Sequence, residues 1–346
     1  MSGRGQPNAL VDGAAIDAAA ERLREVVHLT PMLRSSTAAD WARAATGQRL
    51  ANDSLLLKAE HLQKTGSFKA RGMSNRIMTL PVEARARGVI TVSAGNAGQA
   101  YAWAGRTAGV PVTVVMPEGA VRSKVDACRG YGARVVLHGR DVGQTFAEME
   151  RLRDSKGMTF VHPFADAAVI AGNGTLGQEL LDDVPDVDVV VVGVGGGGLI
   201  GGVAAAVHAR RSTVRIYGVE PETSNAMSLA LAVGSVVRIT PTSVADGLGA
   251  PFAGELTLAM AQAHLEDVVT IDDATILAGV RFALERLKQV IEPAGAIALA
   301  AVLAGVIPYR DGERVAVVLS GGNVELDRLG EFVSGAGRLP GDDIGA

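Results

Sequence analysis

Cysteine is almost absent from this 346-residue chain: Cys128 stands alone. One thiol can form neither a disulfide within the chain nor a thiolate metal cluster, so a reducing, cytoplasmic setting is expected. Basic blocks are also missing; the densest cluster, residues 208–211, fits a solvated helix end. With a formal net charge of −4, nucleic acid is not an expected partner. The first seven residues lack the apolar core of a secretory signal. The longest uncharged run, residues 189–207, has the length of a membrane span. Glycines at 193, 195–198, 201 and 202 interrupt it, and a buried strand, a loop and a helix start explain it better. No membrane contact is expected. Internal repeats and low-complexity tracts are absent too.

What remains is a hydrophobic fraction of 48%, enough for a sizeable core, and length for two domains of roughly 150 residues each. Residues 1–13 read as a loose tail and 14–27 as a helix with Ile16, Leu23 and Val26 on one face. Thr30-Pro31 opens an extended segment, since the residue before proline avoids the helical region. A short helix follows at 37–45, a strand near 55–60 and an amphipathic run at 71–80. From residue 88 strands and helices alternate: strands at 89–92, 112–116 and 135–137, helices at 97–108, 121–131 and 142–156. Short, regular alternation predicts a parallel sheet with helices on its faces. The later chain reads as helix 170–181, strand 187–192, helix 199–211, strand 214–219, an irregular 241–254, helices 274–287 and 294–304, and strand 315–319. The sheet elements fall into two groups, which predicts a small α/β domain at 86–159 inserted in a larger one made of 1–85 and 160–346. The class is α/β: two open, twisted, mostly parallel sheets with helices on both faces, and a cleft between them.

Four stretches carry chemistry. Lys64-Thr65-Gly66-Ser67-Phe68-Lys69-Ala70-Arg71-Gly72 places Lys69 near a helix start, where backbone N–H groups favour an anion. A lysine desolvated there sheds its proton near neutral pH and becomes an amine nucleophile; taken alone, it reads as a solvated side chain. Ser93-Ala94-Gly95-Asn96-Ala97 follows a strand, and the next helix start offers N–H groups to a carboxylate. Gly195-Gly196-Gly197-Gly198-Leu199 allows successive N–H groups to point at a phosphate. Ser320-Gly321-Gly322-Asn323 sets a hydroxyl at a strand's carboxyl end, where open α/β sheets bind ligands. A competing reading exists. Residues 193–198 match G-x-G-x-x-G, and Glu220 ends the next strand where a dinucleotide fold holds its ribose acid, which would make an NAD-dependent oxidoreductase. Against it, that reading leaves the Lys69 and Ser320 stretches unexplained.

Taken together and in this order, the four stretches resemble the pyridoxal-phosphate enzymes of the tryptophan-synthase β-like family, fold type II. Within it they are most similar to the threonine/serine dehydratase and serine racemase group. His162-Pro163-Phe164, Gly172-Asn173-Gly174-Thr175, Ala245-Asp246-Gly247 and Glu292-Pro293 also look like landmarks of that family. The resemblance implies a dehydratase (ammonia-lyase) that converts a β-hydroxy amino acid such as L-threonine or L-serine to a 2-oxo acid and ammonia. It implies pyridoxal 5'-phosphate attached to Lys69 and bounded by Phe68. Asn96 would bond the ring 3′-oxygen, Gly195, Gly196, Gly197, Gly198 and Leu199 would hold the phosphate, and Ser320 would face the pyridine nitrogen. Ser67, Ser93, Ala94, Gly95, Asn96 and Ala97 would receive the substrate, Ser93 and the N–H groups near Asn96 its carboxylate. It further implies a homodimer.

The sequence departs from that pattern. Ala97 stands where the family has histidine, and Ala94 where racemases have their second-face serine. The family's divalent site pairs a glutamate matching Glu220 with an acid six residues on; here that residue is Ala226, and no metal is expected. No regulatory domain is expected after residue 330. Three alternatives stay open beside the dinucleotide one: an amino-acid racemase, a lyase for a bulkier substrate such as phenylserine, and a ligand-binding protein without catalysis.

Overall fold

The computed structural model describes residues 9–344. Ten strands occur among them: β1 (Met32–Ser35), β2 (Leu55–Lys58), β3 (Val89–Val92), β4 (Val112–Met116), β5 (Arg134–Leu137), β6 (Thr159–Phe160), β7 (Val189–Gly193), β8 (Arg215–Pro221), β9 (Asp267–Ile271) and β10 (Val315–Val318). They form a six-stranded sheet in the order β1-β2-β10-β7-β8-β9 and a four-stranded sheet in the order β5-β4-β3-β6. Only the β1–β2 pair is antiparallel. This is the expected α/β class.

Alternation along the strands decides the layers. In the large sheet Leu55, Leu57, Val189, Val191, Val315 and Val317 face one core, which contains the helix Pro293–Leu303. Leu56, Val190, Val192, Ala316 and Val318 face the other, with the helix Gly198–Arg210. Both helices are apolar nearly all round, as a helix wedged in a core must be. Each fully buried valine or leucine contributes roughly 1.5–3 kcal/mol, so these strands are the strongest anchors in the fold. In the small sheet Val89, Val112, Val114 and Met116 face one core and Ile90 and Val115 the other. That first core also holds Met73, Ile77, Leu80, Ala84 and Val169. Side chains from both sides of the 86–159 segment therefore pack with it.

A buried charge network ties the Lys69 helix to its surroundings. Arg71 has no exposed side-chain surface and forks onto two carboxylates: Nε and Nη2 donate to Glu60 at 2.8 Å each, Nη1 and Nη2 to Glu179 at 2.5 and 2.8 Å. Lys58 Nζ lies 3.2 Å from Glu179 and 2.9 Å from Asp183. Nearby, the helix Ala167–Asp183 comes so close that a Cβ on Gly172 would stand 2.8 Å from the Gly72 Cα, which explains Gly172 and Gly72 as packing residues.

Several boundaries moved. The helix expected at 71–80 spans Lys69–Met78, so Lys69 is its first residue. The helix expected at 14–27 ends at Leu23, and Asp12 caps its start by accepting from Ala15 N at 2.9 Å. Of the expected tail at 1–13, residues 1–8 lie outside the described residues, while Val11 is buried. Strands β6 and β9 and the helices Ala226–Val233 and Glu255–His264 were not expected.

Candidate active site

β2, β10 and β7 are neighbours, and each leads at its carboxyl end into one of the four stretches. The ladder continues beyond the strands. Phe68 N donates to Ser320 O at 3.1 Å, Gly322 N to Gly66 O at 2.9 Å, and Ser67 bridges Gly321. The turn before Lys69 is strained: Thr65 has φ 61° and Gly66 φ 73°, a costly region for a β-branched residue. Asn323 Nδ2 donates to Thr65 O at 2.7 Å and holds that turn.

Lys69 Nζ donates to the Pro163 carbonyl at 3.1 Å and stands 4.9 Å from the Phe68 ring centre. Burial pushes its pKa down to about 8, against the pull of the Glu292 charge. His162 shapes the turn that presents the Pro163 carbonyl: its Nδ1 accepts from Phe164 N at 3.2 Å and Ala165 N at 2.9 Å. Burial drives the His162 pKa down to about 4, so the ring is neutral and free to accept.

The glycine loop follows β7. A Cβ on Gly195 would stand 3.1 Å from the Leu248 Cα, on Gly197 2.5 Å from Met227 Cε, on Gly198 2.6 Å from the Phe164 carbonyl, and on Gly196 inside the Phe164 ring. Gly197 has φ 84°, and the helix starts at Gly198. The N–H groups of Gly195, Gly196 and Gly197 find no acceptor among the described residues. A crowded loop of glycines with free N–H groups at a helix start fits a phosphate. Ser67 Oγ is buried without a partner close by in sequence to Lys69, a second vacancy for a polar ligand. The residues therefore fit pyridoxal phosphate.

The fourth stretch comes from the small sheet. Asn96, the first residue of the helix Asn96–Ala108, reaches across: its Nδ2 donates to Glu292 Oε1 at 2.6 Å and its Oδ1 accepts from Asn323 Nδ2 at 2.9 Å. Burial, then the Asp246 charge, raises the Glu292 pKa to about 7, against Asn96, Lys124 and Lys69. Ser93 Oγ accepts from Gly98 N at 3.1 Å and Gly95 N at 3.3 Å, so it shapes the turn. Ala94 packs on the small core, and Ala97 is buried in it with Met73. Ser320 Oγ donates to the Ala294 carbonyl at 3.3 Å. An ion pair, Lys124–Asp246, and a 2.7 Å bond from Ser123 Oγ to Glu325 also cross between the two bodies.

The sequence reading missed these crossings. Glu292 stood out only as a landmark; an acid between Ile291 and a helix-starting proline was the available signal. Nothing local marked Lys124, Asp246 or Asn323 as partners. The dinucleotide reading fails at its acid. Glu220 Oε1 accepts from Met227 N at 2.8 Å, and Oε2 from Ser228 N at 2.8 Å and Ser228 Oγ at 2.6 Å. That carboxylate is committed to a helix start and unavailable to a ribose. Among the described residues, no helix is long and apolar enough to cross a membrane.

Comparison with known proteins agrees with this geometry. The sequence pattern of the family described as "Pyridoxal-phosphate dependent enzyme" matches residues 24–321. An L-threonine ammonia-lyase of Thermotoga maritima is 40% identical over 321 residues, 92% of this chain and 77% of the relative. An L-threo-3-hydroxyaspartate ammonia-lyase from a Pseudomonas species is 36% identical over 324 residues, 92% of this chain and 97% of the relative. The solved structure of maize serine racemase superposes with a TM-score of 0.87 at 33% identity, covering 93% of this chain and 97% of that one. With the lysine, the glycine loop and the serine meeting at three adjacent strand ends, and with relatives of this kind along nearly its whole length, the chain belongs to the pyridoxal-phosphate dependent enzymes of fold type II, in the dehydratase and racemase branch.

Proposed function

We propose that the protein is an ammonia-lyase that converts L-threonine or L-serine to a 2-oxo acid and ammonia, with Lys69 as the residue that carries the cofactor. The observation that carries this reading is the buried Lys69 amine, held by the Pro163 carbonyl at 3.1 Å, beside a glycine loop that packs on the adjoining Phe164; burial lowers its pKa to about 8. When bound, the cofactor supplies an electrophilic carbon and a conjugated ring that accepts the electrons of the substrate Cα–H bond. The glycine N–H groups would hold the phosphate. Lys69 Nζ, oriented by the Pro163 carbonyl, takes the Cα proton as a general base. Asn96, backed by Glu292 and Asn323, would bond the ring oxygen, and Ser320, whose hydroxyl donates to the Ala294 carbonyl, would face the ring nitrogen. The N–H groups at the start of the Asn96–Ala108 helix and Ser93 take the substrate carboxylate. Ala94 offers no acid or base to the opposite face of the substrate, which favours elimination over racemisation. Ala97 is buried in the small core that also contains Met73, which supports an ordinary threonine/serine pocket over one opened for phenylserine.

The single cysteine supports a cytoplasmic location, and the family resemblance a homodimer. We further assign residues 1–85 and 160–346 to a cofactor-binding domain and 86–159 to an inserted domain. Borohydride reduction and peptide mapping test the central assignment: the cofactor mass belongs on Lys69. Finding it on Lys64, or on Lys58, whose ammonium is engaged by Glu179 and Asp183, refutes it. Rates of 2-oxo acid release from serine, threonine, 3-hydroxyaspartate and 3-phenylserine then rank the substrates, and inertness toward both threonine and serine refutes the substrate choice.

A further inference from the structure

The divalent site that the family resemblance implies does not fit the residues present. Ala226 puts a buried methyl where the second acid belongs. Glu220, fully buried, already accepts two backbone N–H groups and one hydroxyl from the first turn of the helix Ala226–Val233. A cation there would compete with these three donors for the carboxylate's lone pairs, and hard cations need several further oxygens. The bonded turn leads straight to the phosphate loop. Met227, whose N–H binds Glu220, is itself fully buried, and its Cε stands 2.5 Å from where a Cβ on Gly197 would lie. Thr257 crowds the same glycine from the helix Glu255–His264, its Cβ 2.9 Å from that point. Gly197 is the loop residue in the left-handed region, so its backbone direction is the one most sensitive to what packs under it.

We propose that Glu220 is a positioning residue for the phosphate loop. Through the first turn of Ala226–Val233 it seats Met227 under Gly197. The proposal rests on the pyridoxal-phosphate reading above. Glu220→Gln replaces one acceptor oxygen by a donor facing N–H groups, and that turn shifts. Met227→Ala keeps every bond to Glu220, because the Met227 donor is its backbone, and removes the contact under Gly197 together with that side chain's packing in the surrounding core.

The test measures cofactor affinity by equilibrium dialysis and the phosphorus NMR position of the bound phosphate. The holoenzyme is compared with both variants, before and after EDTA treatment and with added magnesium or calcium. We expect each variant to weaken pyridoxal-phosphate binding about tenfold or more, the fold-change that ~1.4 kcal/mol produces, and to move the phosphorus resonance. Chelation and re-addition of either metal should leave the wild type unchanged in affinity and in melting temperature. A folded Glu220→Gln with wild-type affinity and resonance overturns the proposal, as does affinity lost to EDTA and restored by magnesium. If Glu220→Gln does not fold, Met227→Ala decides by the same two readings. A wild type that binds no pyridoxal phosphate refutes the proposed function itself, whereas binding that the variants do not alter refutes this proposal alone.

Discussion

Arg71→Met is the most informative single substitution behind the site. Among the described residues the guanidinium is the only cation paired with Glu60, a carboxylate with no exposed surface. Removing it leaves Glu60 with the Thr30 hydroxyl, which donates to Oε1 at 2.5 Å, as its remaining side-chain donor. Glu179 keeps Lys58 at 3.2 Å and is partly exposed, so it suffers less. Breaking a buried pair from one side costs roughly 3–5 kcal/mol, because the surviving charge is left in a low dielectric. At ~2–4 °C per kcal/mol, the melting temperature should fall on the order of 6–20 °C. Arg71→Lys should fall between, since an ammonium cannot fork onto two carboxylates. Glu60→Gln in the Arg71→Met background should return much of the loss, because it removes the stranded charge. Thermal melts of the four proteins in that cycle give the coupling energy. Arg71 lies two residues after Lys69 in the same first helical turn, so cofactor loading should drop with stability. A loss below about 1 kcal/mol for Arg71→Met, or no relief from Glu60→Gln, would refute the reasoning.

Other outcomes follow from the same geometry. The folded pKa of Glu292, about 7, lies above its ordinary value of 4.5, so the folded state holds an extra proton between them; that stability is complete below pH 4.5 and is lost as pH rises through 7. Melting of cofactor-free protein across this range should show the decline, and Glu292→Gln should flatten it; an unchanged slope refutes the assignment. Gly196→Ala drives a methyl into the Phe164 ring, while Gly198→Ala drives one to 2.6 Å from the Phe164 carbonyl. Cofactor affinity should fall in both, and Phe164→Leu should rescue only the first, since a ring can be trimmed and a backbone oxygen cannot. Ala94→Ser should raise D-serine formation from L-serine, read by chiral chromatography; no change would show that position 94 does not face the substrate.

The sequence by itself determined the strands and the chemistry each leads into. Runs such as 189–192 are β-branched and apolar on both faces, which suits a strand of a parallel sheet covered by helices on both sides. Glycine at 195–198 was legible because its backbone freedom is costly unless used. The Lys69 motif was legible as a segment, although its helix begins two residues earlier than periodicity indicated, because Lys69 and Ala70 carry no amphipathic signal. Strands β6 and β9 escaped the reading. β6 has two residues, too few for a period, and β9 is only partly buried, with Asp267 at its exposed start. Tertiary structure alone decided who meets whom across the cleft. Asn96 with Glu292 and Asn323, and Lys124 with Asp246, depend on strand order and on the approach of two sheets. A polar side chain has no periodicity to announce its partner; only once the backbone brings it into the low-dielectric interior does the cost of leaving it unpaired select one.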